Sequence, residues 1–286
     1  MIPARFDYVR AGSVDEAISA LTEGGEDAKL LAGGHSLLPL MKLRLAAPSR
    51  LIDISGLDEI RGVQRQNGDW SIGGGTRHVQ LQDAPEMGVI SRAASLIADQ
   101  QVRNRGTIGG SVAHGDPASD LPAVLLASES EIVARGRSGE RRLAVGDLFQ
   151  DYLTTALEPD ELITEIRMPA LEGYGWGYEK FIRRSEDWAM VGVCALVKQS
   201  DGVCEDVRIG LTHMSSTPLR ASAVEEALRG QSLDADQIAR AAEQAAEGTR
   251  PPGDLNATPD YKRHLARVLT KRALESAAGL GERGQR

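Results

Sequence analysis

Lys29-Leu-Leu-Ala-Gly-Gly-His-Ser-Leu-Leu38 carries a short apolar strand straight into a paired-glycine turn. A second stretch, Gly106-Thr-Ile-Gly-Gly-Ser-Val-Ala-His-Gly-Asp-Pro-Ala-Ser-Asp-Leu-Pro122, repeats the device 73 positions later, counted from Gly33 to Gly106. Adjacent glycines let backbone N–H groups converge on one point, because no Cβ blocks the approach. Converging N–H groups form a nest for an anion such as phosphate. Each glycine pair is followed by a small hydroxyl, Ser36 or Ser111, and Thr107 adds another donor. Taken singly, either turn is ordinary; together they point to one extended ligand with a pyrophosphate held from both sides. The spacing is not G-x-G-x-x-G, which disfavours a doubly wound dinucleotide fold. Ile72-Gly-Gly-Gly-Thr76 lacks a P-loop lysine and reads as a tight strand-to-helix turn, with Thr76 as the helix cap.

Working outward from the first turn, Phe6–Arg10, Ala28–Ala32 and Arg50–Ile54 read as strands around a helix whose Ser13-Val-Asp-Glu16 has capping-box spacing. This is a small β-α-β unit with the turn inside it. Asn67-Gly68 marks a hairpin. Val89, Ile90, Ala93, Ala94, Ile97 and Ala98 give a helical stripe over 89–102. A helix starts near Asp116-Pro117 and Asp120-Leu-Pro122, and Glu131–Arg135 and Glu161–Met168 read as strands. Gly173, Gly175 and Gly177 mark a boundary. Beyond it come three antiparallel strands, Glu179–Arg183, Ala189–Lys198 and Glu205–Thr212, with Asp201-Gly202 as a turn. Helices follow over Ala221–Leu228, Asp234–Glu247 and Asp260–Ala278, and a polar tail runs from Gly281 to Arg286. The fold class is α+β.

Composition removes several classes of function. The 286 residues suffice for about two domains. The net charge of −8, with three Phe, five Tyr and three Trp, does not suit nucleic-acid binding. No run of about 18 apolar residues occurs, so no membrane span is expected. Met1-Ile-Pro-Ala-Arg-Phe-Asp-Tyr8 lacks the apolar stretch of a signal peptide, and the cytoplasm is the default location. Cys194 and Cys204, separated by nine residues, cannot build an iron–sulfur cluster alone and read as free thiols; no metal site is expected.

The chain resembles the flavin-binding medium subunit of molybdenum hydroxylases, the group of aerobic carbon monoxide dehydrogenase and xanthine dehydrogenase. The resemblance rests on Ala32-Gly-Gly-His-Ser-Leu-Leu-Pro39, on Thr107-Ile-Gly-Gly-Ser111 with His114-Gly-Asp-Pro117 and Asp120-Leu-Pro122, and on Lys180-Phe-Ile-Arg-Arg184 leading to Asp187-Trp-Ala189. It implies a two-part FAD-binding domain of the vanillyl-alcohol-oxidase type over 1–175, with subdomains at about 1–55 and 56–175, and a C-terminal α+β domain over 176–286. It implies that Leu30, Leu31, Ala32, Gly33, Gly34, His35 and Ser36 wrap the FAD pyrophosphate and ribityl region. Thr107, Gly109, Gly110 and Ser111 would hold the diphosphate from the other side. Asp120 would accept bonds on the adenosine ribose side, Ile163 would touch the flavin through its backbone, and Lys180 would approach the isoalloxazine.

Trp188 falls where relatives place a residue over the flavin face; its alternation with Met190, Gly192 and Cys194 equally fits a core strand. His35 and His114 are candidate phosphate donors. Ser111 stands where many relatives carry Asn, and His35 where many carry Gln. The implied role is electron transfer from 2Fe–2S clusters of a small partner subunit to an external acceptor. A large molybdopterin subunit would oxidise the substrate, and the assembly would be a dimer of heterotrimers. Two other readings stay open, a self-contained flavin oxidase and a redox-silent nucleotide-binding subunit.

Overall fold

A computed structural model of the chain describes residues 2–280; the polar tail expected from Gly281 lies outside the described residues. Near the N-terminus a parallel three-stranded sheet has Arg50–Asp53 at its centre, between Asp7–Arg10 and Ala28–Leu31. Helix Val14–Gly24 covers it with the stripe Val14, Ala17, Ile18 and Leu21. Ser13 Oγ accepts the Glu16 N–H at 3.1 Å, as the capping box requires. The return bond, however, reaches Gly12 N–H rather than Ser13 N–H.

The second sheet is antiparallel and five-stranded, in the order Val63–Gln66, Asp69–Gly73, Leu162–Met168, Glu131–Gly136 and Gly139–Ala144. Asn67 and Gly68 take φ of +54° and +93°, as a two-residue hairpin turn demands. Helices Val89–Ser95, Ile108–His114 and Asp120–Ala127 cover its apolar face. The expected helix over 89–102 is broken. It stops at Ser95, and a separate turn Gln100–Arg103 begins after Asp99, whose side chain caps it. Ala98 at φ +40° is the break, which the apolar spacing alone did not reveal. Thr76 is not the expected cap either. It is fully buried, and its hydroxyl bonds both the N–H and the carbonyl of Gly62. Of Asp116-Pro117 and Asp120-Leu-Pro122, both expected near the start of the next helix, the second begins it, while the Asp116 side chain accepts the Ala118 N–H in the loop before it.

The C-terminal sheet is antiparallel, in the order Tyr174–Phe181, Val191–Ser200, Val203–Thr212 and Leu219–Arg220. It therefore has four strands where three were expected, and its first strand starts earlier than Glu179. Residues 191–197 of strand Val191–Ser200 are buried on both sides, which explains their unbroken run without charge before the exposed Lys198. Tyr178, Cys194 and Leu196 join the core of the first domain, while Val193, Ala195 and Val197 pack toward the final helix, Pro259–Ala277. Gly175 and Gly177, expected as boundary markers, lie within the first strand of this sheet. A Cβ on them would lie 2.0 Å from Ala277 O and 2.1 Å from Ala273 O, so they let the final helix rest directly on the strand. Gly210 does the same on the other face, where a Cβ would lie 2.0 Å from Ala123 O of helix Asp120–Ala127.

Candidate functional site

The two glycine turns meet. A Cβ on Gly33 would stand 2.4 Å from Arg105 O and 2.8 Å from Gly106 Cα, so glycine at 33 is what permits the contact. Behind the second turn runs a row of backbone contacts. Gly109 N–H donates to Gly74 O at 2.8 Å, and Gly74 N–H donates to Thr164 O at 2.9 Å. A Cβ on Gly74 would lie 2.1 Å from Ile163 O. The Ile72-Gly-Gly-Gly-Thr76 string is thus the seam that brings the second turn against strand Leu162–Met168.

Between the turns opens a cleft of about 890 Å³, at the upper end of the range for ligand pockets. Every residue named by the resemblance lines it: Leu30 to Ser36, Thr107, Gly109, Gly110, Ser111, Asp120, Ile163, Lys180 and Trp188. His114 lines it as well, and so do His78, Gly74, Ile97, Leu157 and Asp187, which sequence reasoning did not assign to a ligand. The three consecutive glycines were the available signal for Gly74. Nothing in the sequence singled out His78.

The turns contribute differently from the expectation of two equal nests. The N–H groups of Gly33, Gly34, His35 and Ser36 carry no hydrogen bond among the described residues, so the first turn offers free donors. In the second turn, Ile108 N–H goes to Thr76 O, Gly109 N–H to Gly74 O and Gly110 N–H to the Thr107 side chain. Its backbone donors are spent on its own helix and on the seam. What it offers is a surface without side chains at Gly109 and Gly110 and the hydroxyl of Ser111.

At the other end, Asp120 and Lys180 form a buried ion pair, with Nζ to Oδ2 at 2.9 Å. Tyr178 donates its hydroxyl to Asp120 Oδ1 at 2.6 Å, and Lys180 also donates to Leu96 O at 2.9 Å. Both oxygens of the residue expected to meet a ribose are therefore engaged by protein. Burial pushes the Asp120 carboxyl above its ordinary range, against the opposing Lys180 charge and Tyr178 hydrogen bond. Burial and the Asp120 charge drive the Tyr178 phenol well above its ordinary value, so it stays a donor.

His78 lies beneath Gly106, where a Cβ would come within 2.7 Å of its ring. Burial first, then His35 and Arg103, lower its pKa to about 4, so it is neutral at pH 7. Trp188 is 56% exposed and precedes strand Val191–Ser200, which removes the core-strand alternative. Cys194 and Cys204 are free and buried, with burial raising their thiols to about 12 and about 11.

Residues 4–171 match the family described as the FAD binding domain in molybdopterin dehydrogenase, and residues 176–277 match the CO dehydrogenase flavoprotein C-terminal domain. The chain is 42% identical over 282 residues to the carbon monoxide dehydrogenase medium chain of Hydrogenophaga pseudoflava, covering 97% of this chain and 98% of that one. It is 36% identical over 283 residues to the 6-hydroxypseudooxynicotine dehydrogenase complex subunit alpha of Paenarthrobacter nicotinovorans, covering 97% and 96%. A solved structure of carbon monoxide dehydrogenase from Hydrogenophaga pseudoflava, lacking the Mo-pyranopterin moiety, superposes with a TM-score of 0.95 at 43% identity, covering 98% of this chain and 100% of that one.

Proposed function

We propose a function from one premise: the chain belongs to the FAD-binding family of the molybdopterin dehydrogenases. It is an FAD-binding medium subunit of the molybdenum hydroxylase type, a part of an oxidoreductase. On our reading it takes electrons from 2Fe–2S clusters of a small partner subunit and delivers them to an external acceptor. A large partner subunit would hold the molybdopterin, two such heterotrimers would pair, and the complex would work in the cytoplasm. No helix among the described residues is long and apolar enough to cross a membrane.

The observation that carries this reading is the cleft itself, whose lining includes every residue that the family likeness assigns to FAD. Free N–H donors of Gly33 to Ser36 suit a diphosphate, opposed by the bare backbone of Gly109 and Gly110. The buried Lys180–Asp120 pair and the exposed Trp188 line another part of the cleft, where the flavin ring would lie. Bound FAD supplies one- and two-electron chemistry; the residues of this chain bind it, orient it and limit its access to water. Likeness over this chain does not select a substrate, since relatives named for carbon monoxide and for a nicotine derivative lie at 42% and 36% identity.

The test is an absorbance spectrum of the purified chain, alone and co-expressed with large and small partner subunits, before and after FAD addition and desalting. Flavin bands released by heat as intact FAD are expected. A colourless complex that binds the partners but never FAD would overturn the reading.

A further inference from the structure

We infer that His213 is the positioning residue that seats Trp188 at the mouth of the cleft. What the seat serves rests on the FAD reading above; the seat itself rests on geometry alone.

His213 follows strand Val203–Thr212 and takes φ +62°, a left-handed conformation uncommon outside glycine and tolerated by His and Asn. That turn aims its two polar groups in different directions. The backbone N–H donates to Pro117 O at 2.8 Å, in the loop that precedes helix Asp120–Ala127 of the FAD-binding domain. Ring Nδ1 lies 2.8 Å from the carbonyl of Ala189, the residue after Trp188. One residue thus ties the Trp188 connection and the FAD-binding domain to a common point.

A carbonyl oxygen only accepts, so Nδ1 carries the ring hydrogen and donates it to Ala189 O. Lys262 Nζ lies 3.1 Å from Nε2 and 3.5 Å from Nδ1, over the ring rather than along the in-plane direction of either nitrogen. Lys262 is itself fully buried and is held by Asp254 at 2.7 Å. Asp254 also accepts the N–H groups of Asn256 and Ala257. Burial lowers the His213 pKa, and the Lys262 charge lowers it further, against opposing contributions from the Ala189 bond, Asp254 and Asp116. The ring stays neutral at pH 7, with its one hydrogen on Nδ1.

No hydrogen bond among the described residues reaches Trp188 itself, whose neighbour Ala189 is 1% exposed. The connection between strands Tyr174–Phe181 and Val191–Ser200 has an internal turn, with Asp187 N–H to Arg184 O and Arg184 N–H to Asp187 Oδ2. Among the described residues, the His213 bond is the one hydrogen bond that reaches residues 185–189 from outside that connection. An indole that is 56% exposed yet faces the cleft needs such a tie to keep one position.

The experiment uses the full chain and a double-mutant cycle: wild type, His213→Ala, Trp188→Phe and the pair. The first readout needs no flavin. Acrylamide quenching of the Trp188 emission, taken as the difference from the Trp188→Phe background, should rise at least about twofold in His213→Ala. In the Trp188→Phe background the same substitution should change nothing, with circular dichroism unaltered. His213→Asn keeps the left-handed backbone and an N–H in the Nδ1 position, and should restore most of the wild-type value. His213→Gly keeps only the backbone and should behave like alanine. Unchanged Trp188 quenching in His213→Ala, or rescue by glycine as complete as by asparagine, would overturn the proposal.

The second readout is quenching of bound FAD fluorescence, which His213→Ala should weaken only when Trp188 is present. If Trp188 quenching responds and flavin emission does not, the seat stands and the placing of Trp188 over the flavin falls.

Discussion

Lys180 Nζ lies 2.9 Å from Asp120 Oδ2, joining the first strand of the C-terminal sheet to the first turn of a helix in the FAD-binding domain. Their side chains are only 2% and 5% exposed, so neither charge has water to fall back on. Removing one partner of a buried pair strands the other, at a cost of about 3–5 kcal/mol. Lys180→Met should lose stability of that order in urea unfolding. Asp120→Asn combined with Lys180→Met should lose clearly less than the two single losses summed. Strict additivity would show that the pair is not coupled.

Gly110 and Gly33 separate binding from folding. A Cβ on Gly110 meets only the Thr107 hydroxyl at 2.8 Å and Ala32 Cβ at 3.8 Å. Gly110→Val should keep the fold and abolish FAD retention. A Cβ on Gly33 would strike the backbone of Arg105 at 2.4 Å, so Gly33→Ala should also lower the melting temperature. Yellow Gly110→Val protein after desalting would refute the role given to the second turn.

His78 gives the chain a pH-dependent stability. Its folded pKa of about 4 lies below the unfolded 6.5, so between those values the unfolded chain binds the extra proton. The contribution is present in full above pH 6.5 and is lost as pH falls toward 4, amounting to roughly 3 kcal/mol at about 1.4 kcal/mol per unit. Unfolding free energies at pH 7 and pH 4.5 should show the drop, and His78→Gln should flatten it. An equal slope in both chains would assign the dependence elsewhere.

Gly177→Ala tests the seating of the final helix. The added methyl carbon would lie 2.1 Å from Ala273 O, and backbone must move to admit it. Overpacking of this kind costs about 1–3 kcal/mol or more. Faster proteolysis within Pro259–Ala277 is expected, with earlier unfolding of the whole chain.

Much of this was legible in the residues. The Asn67-Gly68 hairpin and the Ser13 cap are local signals, and they survive folding. The glycine pairs drew attention to the cleft, and the residues assigned through the family likeness all line it. What stayed hidden depends on partners distant in sequence. Gly175 and Gly177 read only as boundary markers, because the helix they receive lies about 100 positions on. The second turn looked like a donor nest because nothing local shows that Thr76 O and Gly74 O consume its N–H groups. Asp120 looked free because Tyr178 and Lys180 belong to another domain.

The contact between Gly33 and Gly106 has a thermodynamic side. The first turn belongs to the small N-terminal unit and the second to the larger five-stranded one, and each unit has its own hydrophobic cluster. A ligand gripping both turns binds the docked arrangement and not the parted one. At a hundred times its Kd it adds about 2.7 kcal/mol to that arrangement. Cofactor supply would then act as a proofreader of folding: a chain whose two turns are parted would lack that increment, and its N-terminal unit would be the one open to amide exchange and proteases.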